Sequence, residues 1–319
     1  MEPSAPEPSQ TGQRSSRPTL CVTVLCGGPS AEREVSLVSG QAVAEGLRAR
    51  RHKVVVADIG PDDLGALDHP TDVVFPALHG TFGEDGTVQR LLAERGIPFV
   101  GADARASALA IDKVATKALL AAKGIRTPEF EVWDATTLDR QAESGVPLPV
   151  VVKPVDQGSS VATTIVREPG AFEPAVRAAV EQFKRALVEQ FIDGDELTVG
   201  IVGEHTLPPI CIRPKRSFYD YDAKYQDDAT EYLFDAGYSA EVLESVQALS
   251  RQVFDRLGCR HMARVDWMVD RAECLWFLEI NTLPGFTSHS LVPKAAARIG
   301  ISFEELVERL VLMAFEGRS

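Results

Sequence analysis

The chain has 319 residues, enough for two or three domains, and its 45% hydrophobic and 25% charged residues are the proportions of a globular protein with a substantial core. A formal net charge of -13 argues against broad binding to nucleic acid or to an anionic membrane, because both require a basic face. A small anionic ligand would have to be met by a few placed lysines and arginines.

Residues 1–18 are rich in Pro, Ser, Glu and Gln, lack apolar periodicity, and read as a disordered tail. No apolar run reaches the roughly 18 residues of a membrane-spanning helix. No apolar segment of a secretion signal follows the N-terminus, so a cytoplasmic location is expected. Cys21, Cys26, Cys211, Cys259 and Cys274 are scattered without a C-x-x-C pair, which argues against zinc and suits a reducing compartment. Cys21, Cys26 and Cys274 lie in apolar runs and are expected in the core.

Structure is expected from Leu20. A buried strand over 20–25 stops at Gly27-Gly28-Pro29, and a helix follows with Ser30 as N-cap and Val35, Val38, Val43 and Leu47 near helical spacing. Strands at 54–56, 73–75 and 98–100, with a helix at 87–94, give the alternation of a parallel α/β domain. Residues 106–123 read as one helix closed by Gly124. Strands at 129–133, 149–153, 161–166 and 186–192, with a helix between 171 and 184, predict a small α+β domain. From Leu197 onward come further strands and a polar stretch over 214–231. A helix near 240–257 and strands at 263–269 and 274–280 follow, and a last helix opens on the capping box Ser302-Phe303-Glu304-Glu305.

The strongest constellation is the hairpin of the last two strands. Side chains alternate with period two, so Arg264 and Asp266 share one face, as do Glu279 and Asn281. If Val269 pairs with Cys274, Arg264 lies opposite Glu279 and all four polar residues point one way. Val265, Trp267, Val269, Trp276, Leu278 and Ile280 then form the core side. Two carboxylates and an amide oxygen beside an arginine suit a hard cation such as magnesium. A solvated sheet face with an Arg–Glu cross-strand pair is the plain alternative. Lys153 ends a strand before the polar loop Gln157-Gly158-Ser159-Ser160, whose amides and hydroxyls could cradle phosphate. Glu189, with Phe191 and Ile192, could meet a nucleotide's ribose and base, or simply end a strand. The stretch Phe218-Tyr219-Asp220-Tyr221-Asp222-Ala223-Lys224-Tyr225 suits a lid, or equally an exposed loop.

Taken in order from about Val22 to Phe315, these segments resemble the D-alanine–D-alanine ligase family of the ATP-grasp superfamily. The stretches that carry the resemblance are Gly27-Gly28-Pro29-Ser30-Ala31-Glu32-Arg33-Glu34-Val35-Ser36, Ala77-Leu78-His79-Gly80, Gly83-Glu84-Asp85-Gly86, Lys153-Pro154, Gly158-Ser159-Ser160-Val161, Tyr219 to Tyr225, Arg264-Val265-Asp266, and Glu279-Ile280-Asn281 through Leu291.

The resemblance implies α/β and α+β architecture of the ATP-grasp type, an N-terminal parallel α/β domain followed by two α+β subdomains that hold ATP between them. The expected division is a 1–18 tail, an N-terminal domain at 19–110, a central subdomain at 111–195, and a C-terminal subdomain at 196–319 with a lid over 214–232. The implied activity is ATP-dependent ligation of two D-alanine molecules through a D-alanyl phosphate and a tetrahedral intermediate, for peptidoglycan precursor synthesis. Asp266, Glu279 and Asn281 would hold two magnesium ions, with manganese as the alternative. Lys113 and Lys153 would contact ATP phosphates beneath Ser159 and Ser160. Glu189, Phe191, Ile192 and Glu196 would bind adenine and ribose, with Phe218 packed on the adenine. Glu32 would take the first D-alanine's ammonium, with His79 near its carboxylate. Glu32, Ser159 and Tyr225 would be linked by hydrogen bonds, and Lys224 would reach the transferred phosphate. Arg264 and the Gly285 N–H would stabilise the oxyanion. Ser290 and the Leu291 N–H would hold the second carboxylate. A homodimer is implied, with no nucleic-acid or membrane partner.

Two departures stand out: Ala162 occupies a position where many relatives carry glycine, and Ala263 one where some do. Ligases using D-lactate or D-serine as second substrate are the nearest rivals, and Tyr225 favours an amine nucleophile. A silent nucleotide-binding regulator would be expected to lack Arg264 or a metal ligand, and all are present.

Overall fold

The computed structural model describes residues 18–140, 143–158, 161–214, 230–287 and 289–317. Ser159, Ser160, Phe218, Lys224 and Tyr225, with most of the expected lid, lie outside the described residues.

The N-terminal part is a parallel sheet of order β2-β1-β3, built from β1 (Cys21–Cys26), β2 (Lys53–Asp58) and β3 (Val73–Pro76). Its central strand β1 and its neighbour β3 are largely apolar on both faces because both faces are covered. Val22, Val24 and Phe75 pack into one core, and Leu25, Val74 and Leu78 into another. The expected strand at 98–100 reduces to a single parallel bridge between Val74 and Phe99.

The first helix, α1 (Arg33–Ala49), starts at Arg33 with Glu32 at the N-cap position, rather than being capped by Ser30. Ser30 Oγ instead accepts the Glu32 N–H at 3.1 Å. Val38 is 57% exposed, against the expectation that it shares the core face. The cause is close helix–sheet packing: a Cβ on Gly40 would stand 2.6 Å from Cys26 Cβ, so the small side of the helix faces β1 and Val38 turns outward.

After α2 (Thr87–Glu94), the helix expected over 106–123 is two helices, α3 (Ala104–Ile111) and α4 (Lys113–Ala121). Asp112 breaks them with a ψ of 95° and caps α4 by accepting the Ala115 N–H at 2.9 Å. The apolar pattern runs through the break, so periodicity alone hides it. Its consequence is that Lys113 becomes the first residue of α4.

The central sheet has order β4-β7-β5-β6 and is antiparallel. It comprises β4 (Phe130–Trp133), β5 (Val150–Pro154), β6 (Thr164–Val166) and β7 (Ala186–Gln190), with α5 (Ala135–Arg140) and α6 (Phe172–Phe183) between them. The strand β6 is shorter than expected because Ala162 adopts a φ of 51°, in the left-handed region that favours glycine.

The third sheet runs β11-β10-β8-β12-β13, with β9 paired to β8. Its strands are β8 (Gly194–Val202), β9 (His205–Thr206), β10 (Ile210–Arg213), β11 (Glu231–Leu233), β12 (Met262–Asp270) and β13 (Leu275–Asn281). The helices α7 (Ala240–Leu257), α8 (Leu291–Arg298) and α9 (Phe303–Glu316) complete the chain, and Ser302 caps α9 as expected, accepting the Glu305 N–H at 3.2 Å. Apolar residues of α9 share a core with α1, β1 and β3, so the last described helix is packed against the first described elements.

The β12–β13 register departs from expectation. Arg264 pairs with Asn281, Asp266 with Glu279, and Trp267 with Phe277. Leu278 is therefore the extra residue of a β-bulge. The bulge moves Phe277 into the core against Trp267 and brings Leu278 to the same side as Glu279, so the core side holds Phe277 in place of Trp276 and Leu278. Cys26, Cys211 and Cys259 are buried free thiols, whereas Cys21 and Cys274 are only half-buried, contrary to the core assignment.

Candidate active site

Two cavities meet between the three sheets. The larger, about 420 Å³, is lined by Lys153, Glu189, Phe191, Ile192 and Asp266. The smaller, about 90 Å³, is lined by Glu32, His79, Glu84, Arg264, Asn281, Gly285, Ser290 and Leu291. Lys113, Glu196 and Glu279 line both. Every expected site residue that falls among the described residues borders one cavity or the other.

The larger cavity is lined by Lys113, Lys153 and Arg213 against five carboxylates, and both lysines are paired with acids. Lys113 Nζ donates to Gln157 O at 2.6 Å and stands 3.4 Å from Glu279 Oε2. The buried Glu189 ion-pairs through Oε1 with Lys153 and through Oε2 with Lys117, the latter at 3.0 Å. Burial alone would push the Glu189 carboxyl up, but the two lysines outweigh it and hold it below the usual carboxylate range. Lys153 is likewise pulled down by burial and raised on balance by Glu189 and Glu279. Arg167 stacks on the Phe191 ring, 4.9 Å from its centroid, and fixes the aromatic wall.

Where the cavities join, Asp266 is buried and accepts Thr198 Oγ1–H at 2.6 Å, and Arg264 Nη2–H at 2.8 Å. Among the described residues no three His, Cys, Asp or Glu side chains converge to hold a metal ion. The candidate donors are the two carboxylates of Asp266 and Glu279, opposed in register, with the Asn281 amide, whose oxygen already accepts the Leu283 N–H at 3.0 Å.

The smaller cavity gathers loops from both ends of the chain. A Cβ on Gly80 or on Gly158 would lie 3.6 Å from Glu32 Oε2, so the loop that leads to Ser159 runs against Glu32. A Cβ on Gly285 would stand 2.9 Å from Ser290 Oγ and 4.0 Å from His79 Cε1, so only glycine leaves room there for a ligand. Ser290 precedes α8 without capping it, since its Oγ accepts the Thr287 N–H at 2.8 Å. A carboxylate at that point would meet the positive end of the helix. His79 is held low by burial, hence neutral near pH 7, and its Nε2 has no hydrogen-bond partner among the described residues. Glu84 Oε2 accepts the Gly80 N–H at 2.6 Å, yet burial and then the Glu32 charge push its carboxyl up to about 8.

Three participants escape a reading of the sequence for function. Glu84 lies in a recognised motif, but its proton depends on surroundings that only the fold supplies. Thr198 reaches Asp266 across the β8–β12 pairing. Lys117 carries one available signal, a lysine one turn after Lys113 on a helix face otherwise filled by Thr116 and Leu120.

A nucleotide-sized cleft between two sheets, with Lys153 and Glu189 on one and Asp266 and Glu279 on the other, is of the ATP-grasp class. A family model described as the D-ala D-ala ligase C-terminus matches residues 119–312, and one for the N-terminus matches 61–102. The chain belongs to the D-alanine–D-alanine ligase family. It is 42% identical over 295 residues to a D-alanine–D-alanine ligase of Gloeobacter violaceus, covering 91% of this chain and 98% of that one. It is 44% identical over 291 residues to one from Marinobacter nauticus, covering 91% and 90%. Similar solved structures include the VanG D-Ala:D-Ser ligase from Enterococcus faecalis, with TM-score 0.82, 28% identity and coverage of 93% of this chain and 100% of that one. The D-alanine–D-alanine ligase from Bacillus anthracis complexed with ATP matches with TM-score 0.79 and 31% identity, covering 94% and 98%.

Proposed function

We propose that this chain uses ATP to join two D-alanine molecules into D-alanyl-D-alanine, a peptidoglycan precursor, releasing ADP and phosphate. The observation that carries the reading is the junction of a nucleotide-sized cavity with a small acid-lined one along Lys113, Glu196 and Glu279, beside Arg264.

ATP occupies the larger cavity, its phosphates near Lys113 and Lys153, its base and ribose near Glu189, Phe191, Ile192 and Glu196. Glu32 takes the ammonium of the first D-alanine, and neutral His79 lies near its carboxylate without adding charge. A carboxylate oxygen attacks the terminal phosphorus, the bond to ADP breaks, and an acyl phosphate forms. Ser290 and the start of α8 hold the second carboxylate, and the second amine attacks the acyl carbon. Arg264 and the Gly285 N–H stabilise the oxyanion, and the carbon–oxygen bond then breaks to release phosphate. The resemblance adds Ser159, Ser160, Phe218, Lys224 and Tyr225 as the elements that cover this chemistry and exclude water.

Asp266, Glu279 and Asn281 offer the hard oxygen donors that magnesium or manganese takes. The donor set fits: these three side chains would hold the ions, and Arg264, which donates to Asp266, would supply fixed positive charge at the oxyanion. Bound metal would neutralise charge on the transferring phosphoryl group. The three-part division at 110/111 and 195/196 belongs to the same proposal, as do a cytoplasmic location and a homodimer. No described helix is long and apolar enough to cross a membrane.

Incubation of the purified chain with ATP, magnesium and D-alanine, with products read by mass, tests the reading. The expected product is D-alanyl-D-alanine, absent with L-alanine. Likeness to a D-Ala:D-Ser ligase motivates a second arm with D-serine, and D-alanyl-D-serine as main product would overturn the second-substrate assignment.

A further inference from the structure

Lys117 follows Lys113 by one turn of α4, so the two side chains leave the same helix face. Lys113 reaches the cavities, whereas Lys117 is fully buried and lines neither. A buried ammonium is costly unless it is paired and hydrogen-bonded. Lys117 Nζ donates to Thr127 Oγ1 at 2.8 Å and to the Phe277 carbonyl of β13 at 3.2 Å, and it stands 3.0 Å from Glu189 Oε2 on β7. It therefore ties the two sheets that face each other across the larger cavity.

The two oxygens of Glu189 differ. Oε1 pairs with Lys153, which borders the larger cavity and can turn toward a polyphosphate. Oε2 has its ion pair with Lys117 but accepts no aligned hydrogen bond among the described residues, and the carboxylate lines the cavity beside Phe191 and Ile192. When Lys153 engages phosphate, Lys117 remains as the fixed counter-charge of Glu189, because its own hydrogen bonds anchor it.

We propose that Lys117 is a positioning residue that keeps the Glu189 carboxylate a pure hydrogen-bond acceptor for the nucleotide base, so that the site selects a 6-amino purine over a 6-oxo purine. The inference rests on the reading of the larger cavity as the ATP site. An exocyclic amine donates to an ionised carboxylate, whereas a 6-oxo group presents only lone pairs to it. Without Lys117, a Glu189 abandoned by Lys153 would be buried and unpaired and would take up a proton. A protonated carboxyl can donate as well as accept, as an amide can, and the discrimination is lost.

The test is calorimetric binding of ATP and of ITP, with magnesium present, to the full chain and to Lys117→Met, Glu189→Gln and the double variant. The double variant leaves no unpaired buried charge, so it supplies a folded comparison if Lys117→Met alone does not fold. The wild type is expected to prefer ATP by roughly ten- to a hundredfold, the worth of one hydrogen bond to a charged group. Lys117→Met and Glu189→Gln should each bring the ratio close to one, and the double variant should match Glu189→Gln. A purely structural Lys117 would weaken both nucleotides alike. A wild-type ratio retained in Lys117→Met, or a double variant whose ratio differs from that of Glu189→Gln, overturns the inference. A wild type that binds ATP without preferring it over ITP overturns the inference alone, whereas one that binds neither nucleotide overturns the ligase reading itself.

Discussion

Glu84 beside the smaller cavity and Glu189 in the larger are both buried carboxyls, and the fold treats them in opposite ways. Glu189 has a lysine at each oxygen and is held below the ordinary range. Glu84 has a backbone N–H and the charge of Glu32 nearby, and is pushed up to about 8. Burial is common to both, so neighbouring charge decides which acid stays ionised. The larger cavity, proposed to take the nucleotide, is arranged around fixed charge, and the smaller keeps a proton in reserve next to Glu32, the acid proposed to bind an ammonium.

The largest expected effect concerns the charged side. Chelation of divalent metal should reduce ATP-dependent phosphate release to background, and added magnesium should restore it; turnover that survives chelation would break the assignment of Asp266, Glu279 and Asn281. Next, Arg264→Met should lower kcat roughly 10²- to 10³-fold, the usual cost of removing one oxyanion donor. A KM effect with unchanged kcat would show instead that Arg264 serves only to hold Asp266.

The proton on Glu84 makes a smaller, pH-dependent prediction. The folded chain keeps a proton up to about 8 that the unfolded chain releases near its ordinary value of about 4.3. Stability from this group is therefore lost as pH rises through that window. The buried histidines His52, His79 and His261 are held low by burial and act with the opposite sign, but only below about 6.5. Lys117, pulled down to about 8 by burial, acts mainly above that value. Denaturant titration between about pH 6.5 and 8 should thus show wild-type stability falling by up to about 2 kcal/mol, and Glu84→Gln should flatten the slope. A slope equal in both proteins would remove the contrast between the two glutamates. The smallest effect is at the break between α3 and α4: Asp112→Ala should cost about 1 kcal/mol as a lost N-cap, and should raise KM for ATP through Lys113 more than it changes kcat.

The sequence disclosed what depends on local pattern. The strand–helix alternation, α7, the Ser302 cap and the polar pairs Arg264 with Asp266 and Glu279 with Asn281 follow from period and turn chemistry. What it concealed depends on partners distant along the chain. The bulge at Leu278 arises from β13 pairing, and the outward turn of Val38 from Gly40 meeting Cys26. Asp112 reads as the interior of a helix because the apolar rhythm continues on both sides of it. Lys117 reads as an ordinary helix lysine until Glu189, Thr127 and Phe277 are brought around it. Ala162 was legible as a departure from relatives that carry glycine, and its φ of 51° gives the physical reason glycine suits that position.

The most direct test of the central claim, that ATP activates a carboxylate at the junction of the two cavities, is to supply D-alanine labelled with ¹⁸O in its carboxylate and weigh the released phosphate. Attack by that oxygen on phosphorus, followed by carbon–oxygen cleavage, predicts one ¹⁸O in each phosphate. Unlabelled phosphate formed alongside the dipeptide would mean that phosphorus never bonded to the carboxylate, and would contradict the account.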